Sequence, residues 1–171
     1  LCPGLSAMIA RDSGMRDNVH RIDMVGMGCN GGMNGLMATT SFAAANPGKP
    51  ALLLTCEVCS AAYVFDMTVR TGVVNSLFGD GSAAVLLVSD DTLTAAEGPQ
   101  VLGFESIMVA HAIQEMRFDF DNGKFTFYLG RDIPYLIGET NHTPAGNLLK
   151  THRLKPRAIS HSLIHSGGKE V

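Results

Sequence analysis

The chain has 171 residues, of which 46% are hydrophobic and 17% charged, with a formal net charge of -3. That length admits one domain or a piece of a larger one, and interspersed acids and bases exclude the basic stripe of a nucleic-acid binder. No apolar run has the length of a membrane span, Leu1-Cys-Pro-Gly-Leu5 lacks the regions of a secretory signal, and four cysteines are too few for a disulfide scaffold, so a reducing cytoplasm is expected.

In chain order, a first helix is predicted over residues 5–13, and the alternation of residues 21–25 predicts a strand. The glycine-rich run Val25-Gly-Met-Gly-Cys29-Asn-Gly-Gly-Met-Asn-Gly35 leads into a helix over residues 33–45, stopped by Asn46-Pro47-Gly48. Residues 50–55 form an apolar strand expected to be buried on both faces. Residues 56–75 are irregular and expected to line a site. Leu77-Phe-Gly-Asp-Gly81 is a turn, residues 82–89 a second apolar strand, and residues 90–100 a polar loop. A strand over residues 101–109, a turn at 119–123 and a short strand over 124–129 follow. A helix spans residues 133–149, with Pro134 in its first turn and Pro144 weakening its second half. A closing strand covers residues 157–164. Helices between buried strands indicate a layered α/β fold, with no internal repeat. Without an initiator Met, and with a helix only starting at its end, the chain reads as the middle of a longer protein.

Four features could carry chemistry. Cys29 sits where a strand turns into a helix, and the positive end of the helix macrodipole favours the thiolate there. It is either a nucleophile or a small structural cysteine in a tight turn. His165, in Ile164-His-Ser-Gly-Gly168, ends a strand where glycines let backbone approach a ligand. Phe78 lies beside the turn Gly79-Asp80-Gly81 and is either a core aromatic or part of a site. Cys56-x-x-Cys59 and His161-x-x-x-His165 have local spacings of zinc ligands. The two pairs lie about a hundred residues apart, however, so no metal is expected. A thioredoxin-like use of Cys56 and Cys59 is disfavoured too, because no helix clearly begins there.

Taken together, Gly28-Cys29 opening a helix, Cys56-Glu-Val58 after a strand, Leu77-Phe-Gly-Asp-Gly-Ser-Ala-Ala84 and His165-Ser-Gly-Gly168 resemble the type III polyketide synthases in order and spacing. These are the chalcone-synthase-like enzymes of the thiolase fold, and the resemblance runs over essentially the whole chain. Gly26-Met-Gly-Cys-Asn-x-Gly-x-Asn-Gly35, Glu57-Val-Cys-Ser-Ala-Ala-Tyr63, Val74-Asn-Ser-Leu-Phe-Gly-Asp-Gly81 and His165-Ser-Gly-Gly-Lys169 look more narrowly like the bacterial 3,5-dihydroxyphenylacetyl-CoA synthase branch. That branch supplies the dihydroxyphenylglycine unit of glycopeptide antibiotics. Plant relatives carry Pro where this chain has Ser166, and ketoacyl synthases usually follow the histidine with Gln-Ala-Asn, a weaker match.

The resemblance implies a layered thiolase-like fold (α-β-α-β-α), incomplete at both ends. Residues 1–100 would be the end of its first half, with the nucleophilic cysteine, and residues 101–171 the start of its second, with the catalytic histidine. It implies a homodimeric enzyme that condenses malonyl-CoA units onto acyl-CoA starters by decarboxylative Claisen chemistry. CoA thioesters are the substrates, and no cofactor, nucleic acid or membrane is involved. Cys29 is then the nucleophile and His165 its partner and thioester-oxygen donor. Phe78 and Phe127 resemble the gating pair between CoA tunnel and cavity. Cys59 and Ala62 fall at cavity-lining positions, Gly167 and Gly168 flank the histidine at the substrate, and Cys2 reaches across the dimer. The family's third catalytic residue, an Asn in a Gly-Asn segment, is expected beyond Val171, and its basic CoA-phosphate residues mostly before Leu1. The alternatives are another type III synthase, making a pyrone, resorcinol or chalcone, or an inactive fragment of such an enzyme.

Overall fold

The computed structural model describes residues 3–89, 98–121, 123–165 and 167. Contacts divide the chain into two compact units, Leu1–Thr55 with Ala83–Glu97 and Cys56–Ser82 with Gly98–Val171. The division expected near residue 100 concerns the duplicated halves of a fold, which compactness does not address.

In the first unit, helix α1 (Leu5–Asp12) closes where Ser13 N donates to Ile9 O (2.9 Å) and Gly14 N to Arg11 O (3.1 Å). The strand expected over residues 21–25 does not form. Asp23 instead turns its carboxylate onto the first turn of α1, accepting from Ser6 N at 3.0 Å and Ser6 Oγ at 2.6 Å. The first N–H groups of a helix lack intrahelical partners, so a carboxylate is well placed there. A side-chain tie thus holds this segment where a backbone ladder was expected.

A 3-10 turn (Gly28–Asn30) then leads into helix α2 (Gly31–Ala45). Helix α2 ends as anticipated, with Asn46 N donating to Ala43 O (3.3 Å) and Asn46 Nδ2 to Phe42 O (2.9 Å) ahead of Pro47. Gly35 is buried, and a Cβ there would lie 2.8 Å from Leu53 Cδ1, so the missing side chain lets α2 approach the next strand. That strand, β1 (Ala51–Glu57), pairs with β2 (Gly81–Leu87) in a two-stranded sheet. Burial on both faces is not observed: Ala51 is buried, but Leu52 and Leu54 are 44% and 40% exposed. Leu53 and Thr55 lie against α2 at Gly35 and Gly32, while Leu52 and Leu54 alternate to the other side of the strand. Among the described residues the buried apolar side chains are Ala10, Ala43 and Ala51, all in this unit.

The second unit opens with a 3-10 turn (Cys59–Ala62) and helix α3 (Val69–Leu77), inside a stretch expected to be irregular. Its β-branched residues are weak helix formers. Capping offsets this: Thr68 Oγ1 accepts from Thr71 N (3.3 Å), while Asp66 Oδ1 accepts from Thr68 N (3.0 Å) and from the Thr71 hydroxyl. Strands β3 (Met116–Asp121) and β4 (Lys124–Leu129) form an antiparallel hairpin that pairs Phe118 with Phe127 and Phe120 with Phe125. Of these two strands only β4 was anticipated. The strand expected over residues 101–109 is absent, as is the closing strand over 157–164, where a 3-10 turn (Pro156–Ala158) precedes unladdered chain. A strand exists only through its partner, and nothing among the described residues pairs with either segment.

The long helix expected over residues 133–149 is two, α4 (Ile133–Thr140) and α5 (His142–Thr151), separated at Asn141. Pro144 accounts for the break: it falls in the first turn of α5, where its missing N–H costs nothing. The fold class is mixed α/β, as expected.

Candidate active site

Cys29 lies in the 3-10 turn just before α2, and its side chain is exposed. Gly26 (φ 79°) and Gly28 (φ 56°) adopt the left-handed conformation that glycine takes at no steric cost, and they shape the approach to this turn. The helix begins two residues later, where Gly31 N donates to Gly28 O and so closes the turn onto α2. The anticipated context therefore holds, except that an irregular segment feeds the turn.

The remaining candidates among the described residues belong to the second unit. Phe78 and Phe127 come together: their ring centroids are 5.3 Å apart at an interplanar angle of 88°, an edge-to-face contact. Phe118 backs Phe127 from the neighbouring strand at 5.1 Å. Both members of the pair are half-buried. Beside them α3 and β4 enclose an open cavity of about 760 Å³, with Val69, Val73, Leu77, Phe127 and Leu129 among its lining. That volume lies in the range of small-molecule sites, and the lining is mostly apolar.

Cys59, half-buried, and Ala62, exposed, sit in the 3-10 turn Cys59–Ala62. Hydrogen bonds join this segment to the stretch at Phe78, where the turn expected over residues 77–81 is instead a short extended connection between α3 and β2. Asp80 Oδ1 accepts from Ser60 N at 2.8 Å and Asp80 Oδ2 from Ser60 Oγ at 2.6 Å, and these bonds hold the Asp80 carboxyl below its ordinary value of 3.8. Tyr63 donates its hydroxyl to Phe78 O at 2.6 Å, and Asn75 Nδ2 donates to Val64 O at 2.9 Å. None of these ties was anticipated. The Ser60–Asp80 pair spans twenty residues, and no local pattern marks such a contact. The alternation in Met116-Arg-Phe-Asp-Phe-Asp121, by contrast, was a usable signal for β3 and hence for Phe118.

His165 and Gly167 are exposed, on chain outside any strand. Gly168 and Cys2 lie outside the described residues. Among the described residues no three His, Cys, Asp or Glu side chains cluster as metal ligands would, and no helix is long and apolar enough to cross a membrane.

Residues 2–100 match the family profile described as FAE1/Type III polyketide synthase-like protein. The chain belongs to the type III polyketide synthase family. Across its whole length this type III synthase chain is 47% identical to the 3,5-dihydroxyphenylacetyl-CoA synthase of Streptomyces toyocaensis, covering 45% of that protein. It thus spans about half the length of the curated relatives it matches.

Solved structures agree on the fold. PKS-I from the brown alga Ectocarpus siliculosus superposes with a TM-score of 0.82 at 25% identity, over 94% of this chain and 42% of that one. The 1,3,6,8-tetrahydroxynaphthalene synthase of Streptomyces coelicolor A3(2), a bacterial type III polyketide synthase, gives a TM-score of 0.81 at 23% identity, over 99% of this chain and 48% of that one. The α/β fold is therefore the thiolase fold of the type III synthases.

Proposed function

We propose that the protein containing these residues condenses malonyl-CoA units by decarboxylative Claisen condensation and forms 3,5-dihydroxyphenylacetyl-CoA. The observation that carries this reading is the 47% identity, over the whole chain, to a 3,5-dihydroxyphenylacetyl-CoA synthase. The exposed thiol ahead of α2 and the Phe78–Phe127 pair beside an apolar cavity support it.

In this reading the Cys29 thiolate attacks an acyl-CoA carbonyl; the new S–C bond replaces the bond to CoA, which leaves as its thiolate and takes a proton from water. Malonyl thioester loses CO₂, and the electron pair left behind forms an enolate. The enolate attacks the Cys29-bound thioester, a C–C bond forms, and the thiolate is released. Charge gathers on the thioester oxygen during decarboxylation, so a donor placed there matters most, and His165 fills that role. Phe78 and Phe127 act as an apolar gate that keeps water from the growing chain. Cys59 and Ala62 line the cavity, and Gly167 and Gly168 keep backbone close to the substrate. CoA thioesters enter as substrates and no further cofactor takes part. The working enzyme is a cytoplasmic homodimer with Cys2 at the subunit boundary, and residues 1–100 and 101–171 belong to its first and second halves.

The test is the full-length protein with malonyl-CoA as sole substrate, followed by CoA release and mass spectrometry of the products. The expected result is 3,5-dihydroxyphenylacetyl-CoA or its free acid, abolished by Cys29→Ala. A pyrone, resorcinol or other polyketide would keep the synthase reading and overturn the product. No CoA release would overturn both.

A further inference from the structure

We infer that Ser60, Tyr63 and Asp80 are positioning residues that set the width of the product cavity, by tying its wall at Cys59–Ala62 to the gate at Phe78. This rests on the synthase reading above and adds residues that touch neither substrate nor reacting atoms.

The wall cannot hold its own shape. The turn Cys59–Ala62 is a single short 3-10 segment, entered through a backbone bond from Ala61 N to Val58 O at 3.2 Å. Short 3-10 pieces have poor hydrogen-bond geometry and rely on their surroundings. Those surroundings include the short extended connection Phe78-Gly-Asp80 between α3 and β2, gripped from several groups. The Asp80 carboxylate takes both the amide and the hydroxyl of Ser60, inside the wall, and the Cys59 amide as well. The Tyr63 hydroxyl, just past the wall, donates to the carbonyl of Phe78 itself. Asn75, on α3, fastens Val64 next door.

The Phe78 ring is located in turn by its edge contact with Phe127. Wall and gate are thus joined by a closed set of contacts within one unit, and losing one of these hydrogen bonds frees the Cys59–Ala62 backbone to move relative to that of Phe78. Binding-site geometry held to fractions of an ångström comes from such supporting bonds, and losing one loosens the site without removing it. Glycines on either side of Asp80 leave the connection too pliant to hold that geometry alone.

The test uses the full-length enzyme and three variants. Tyr63→Phe deletes one hydroxyl and keeps the ring. Ser60→Ala deletes one of the two Ser60–Asp80 bonds. Asp80→Asn preserves both, because its amide oxygen accepts from Ser60 N and its NH₂ donates to the Ser60 hydroxyl. Product ratio, KM and kcat on malonyl-CoA are read together with hydrogen exchange over residues 58–64 and the melting temperature.

Tyr63→Phe and Ser60→Ala are expected to speed exchange in that segment by about tenfold and shift the ratio of full-length to prematurely released product by a similar factor, while Asp80→Asn stays near wild type. Faster exchange with an unchanged product ratio would reduce the ties to structural props and overturn the inference. Unchanged exchange with unchanged products would overturn it outright. A wild-type enzyme that releases no CoA from malonyl-CoA would instead overturn the synthase reading on which the inference stands, whatever the variants do.

Discussion

At the residue scale the reactive group is Cys29, and exposure alone does not single it out, since Cys56 is exposed as well. The difference lies in where each thiol sits. Cys29 sits in the 3-10 turn that leads directly into a fifteen-residue helix, while Cys56 sits within strand β1. Peptide mapping after brief iodoacetamide treatment of the full-length protein is expected to find Cys29 labelled first, and preferential labelling of Cys56 or Cys59 would remove Cys29 as nucleophile. Two carboxylates carry a separate expectation. Ser6 and Ser60, each giving a hydroxyl and an amide, hold Asp23 and Asp80 below their ordinary 3.8. A carboxyl depressed by folding adds stability that is complete above its unfolded value and is lost as pH falls through the folded one. Acid titration of the melting temperature is therefore expected to show a loss beginning below about pH 4, made shallower by the double variant Asp23→Asn, Asp80→Asn. An unchanged slope would assign the acid sensitivity to other carboxylates.

At the element scale, the contact of α2 with β1 depends on what Gly35 lacks. Gly35→Val puts a branched side chain where even a Cβ would come within 2.8 Å of Leu53 Cδ1. Overpacking of this kind costs about 1–3 kcal/mol, and calorimetry of the full-length variant is expected to show a lower melting temperature. The Phe78–Phe127 contact makes a contrasting prediction. A fully buried Phe cut to Ala costs about 3–5 kcal/mol, but Phe78 is half-buried, so the loss in Phe78→Ala should be well below that. If the pair is a gate, the same variant changes the product profile or KM while the melting temperature falls by only a few degrees. A large fall with unchanged products would return Phe78 to the core.

At the scale of the molecule, the described residues leave much apolar surface uncovered. Phe118, Phe120 and Phe125 on one face of the hairpin are 66–68% exposed, as is Leu86 of β2 at 64%. Uncovered strand faces of this size favour association. Residues 1–171 expressed alone are therefore expected to aggregate and to release no CoA from malonyl-CoA, beside a full-length control that does. Gel filtration and a thiol-release assay on both would decide this, and comparable turnover by the short chain would mean the whole site is built from residues within it.

Helices α1 and α2 were legible because their signals are local, whereas α3 was not. The run after Cys29 announces α2, Asn46-Pro47-Gly48 announces its end, and the apolar runs near residues 51 and 83 announce β1 and β2. Cys29 and Phe78 could be singled out for the same reason, each beside glycines, whereas Phe127 entered only through the resemblance to the family. Non-local pairing stayed hidden. Residues 21–25, 101–109 and 157–164 have strand-like composition, but a ladder needs a partner, and composition does not say whether one arrives. The same holds for the grip of Asp80 on Ser60, of Asp23 on Ser6 and of Tyr63 on the Phe78 carbonyl, bonds spanning fifteen to twenty residues. A side chain's identity states what it can donate or accept, and only the path of the backbone decides which group comes within reach.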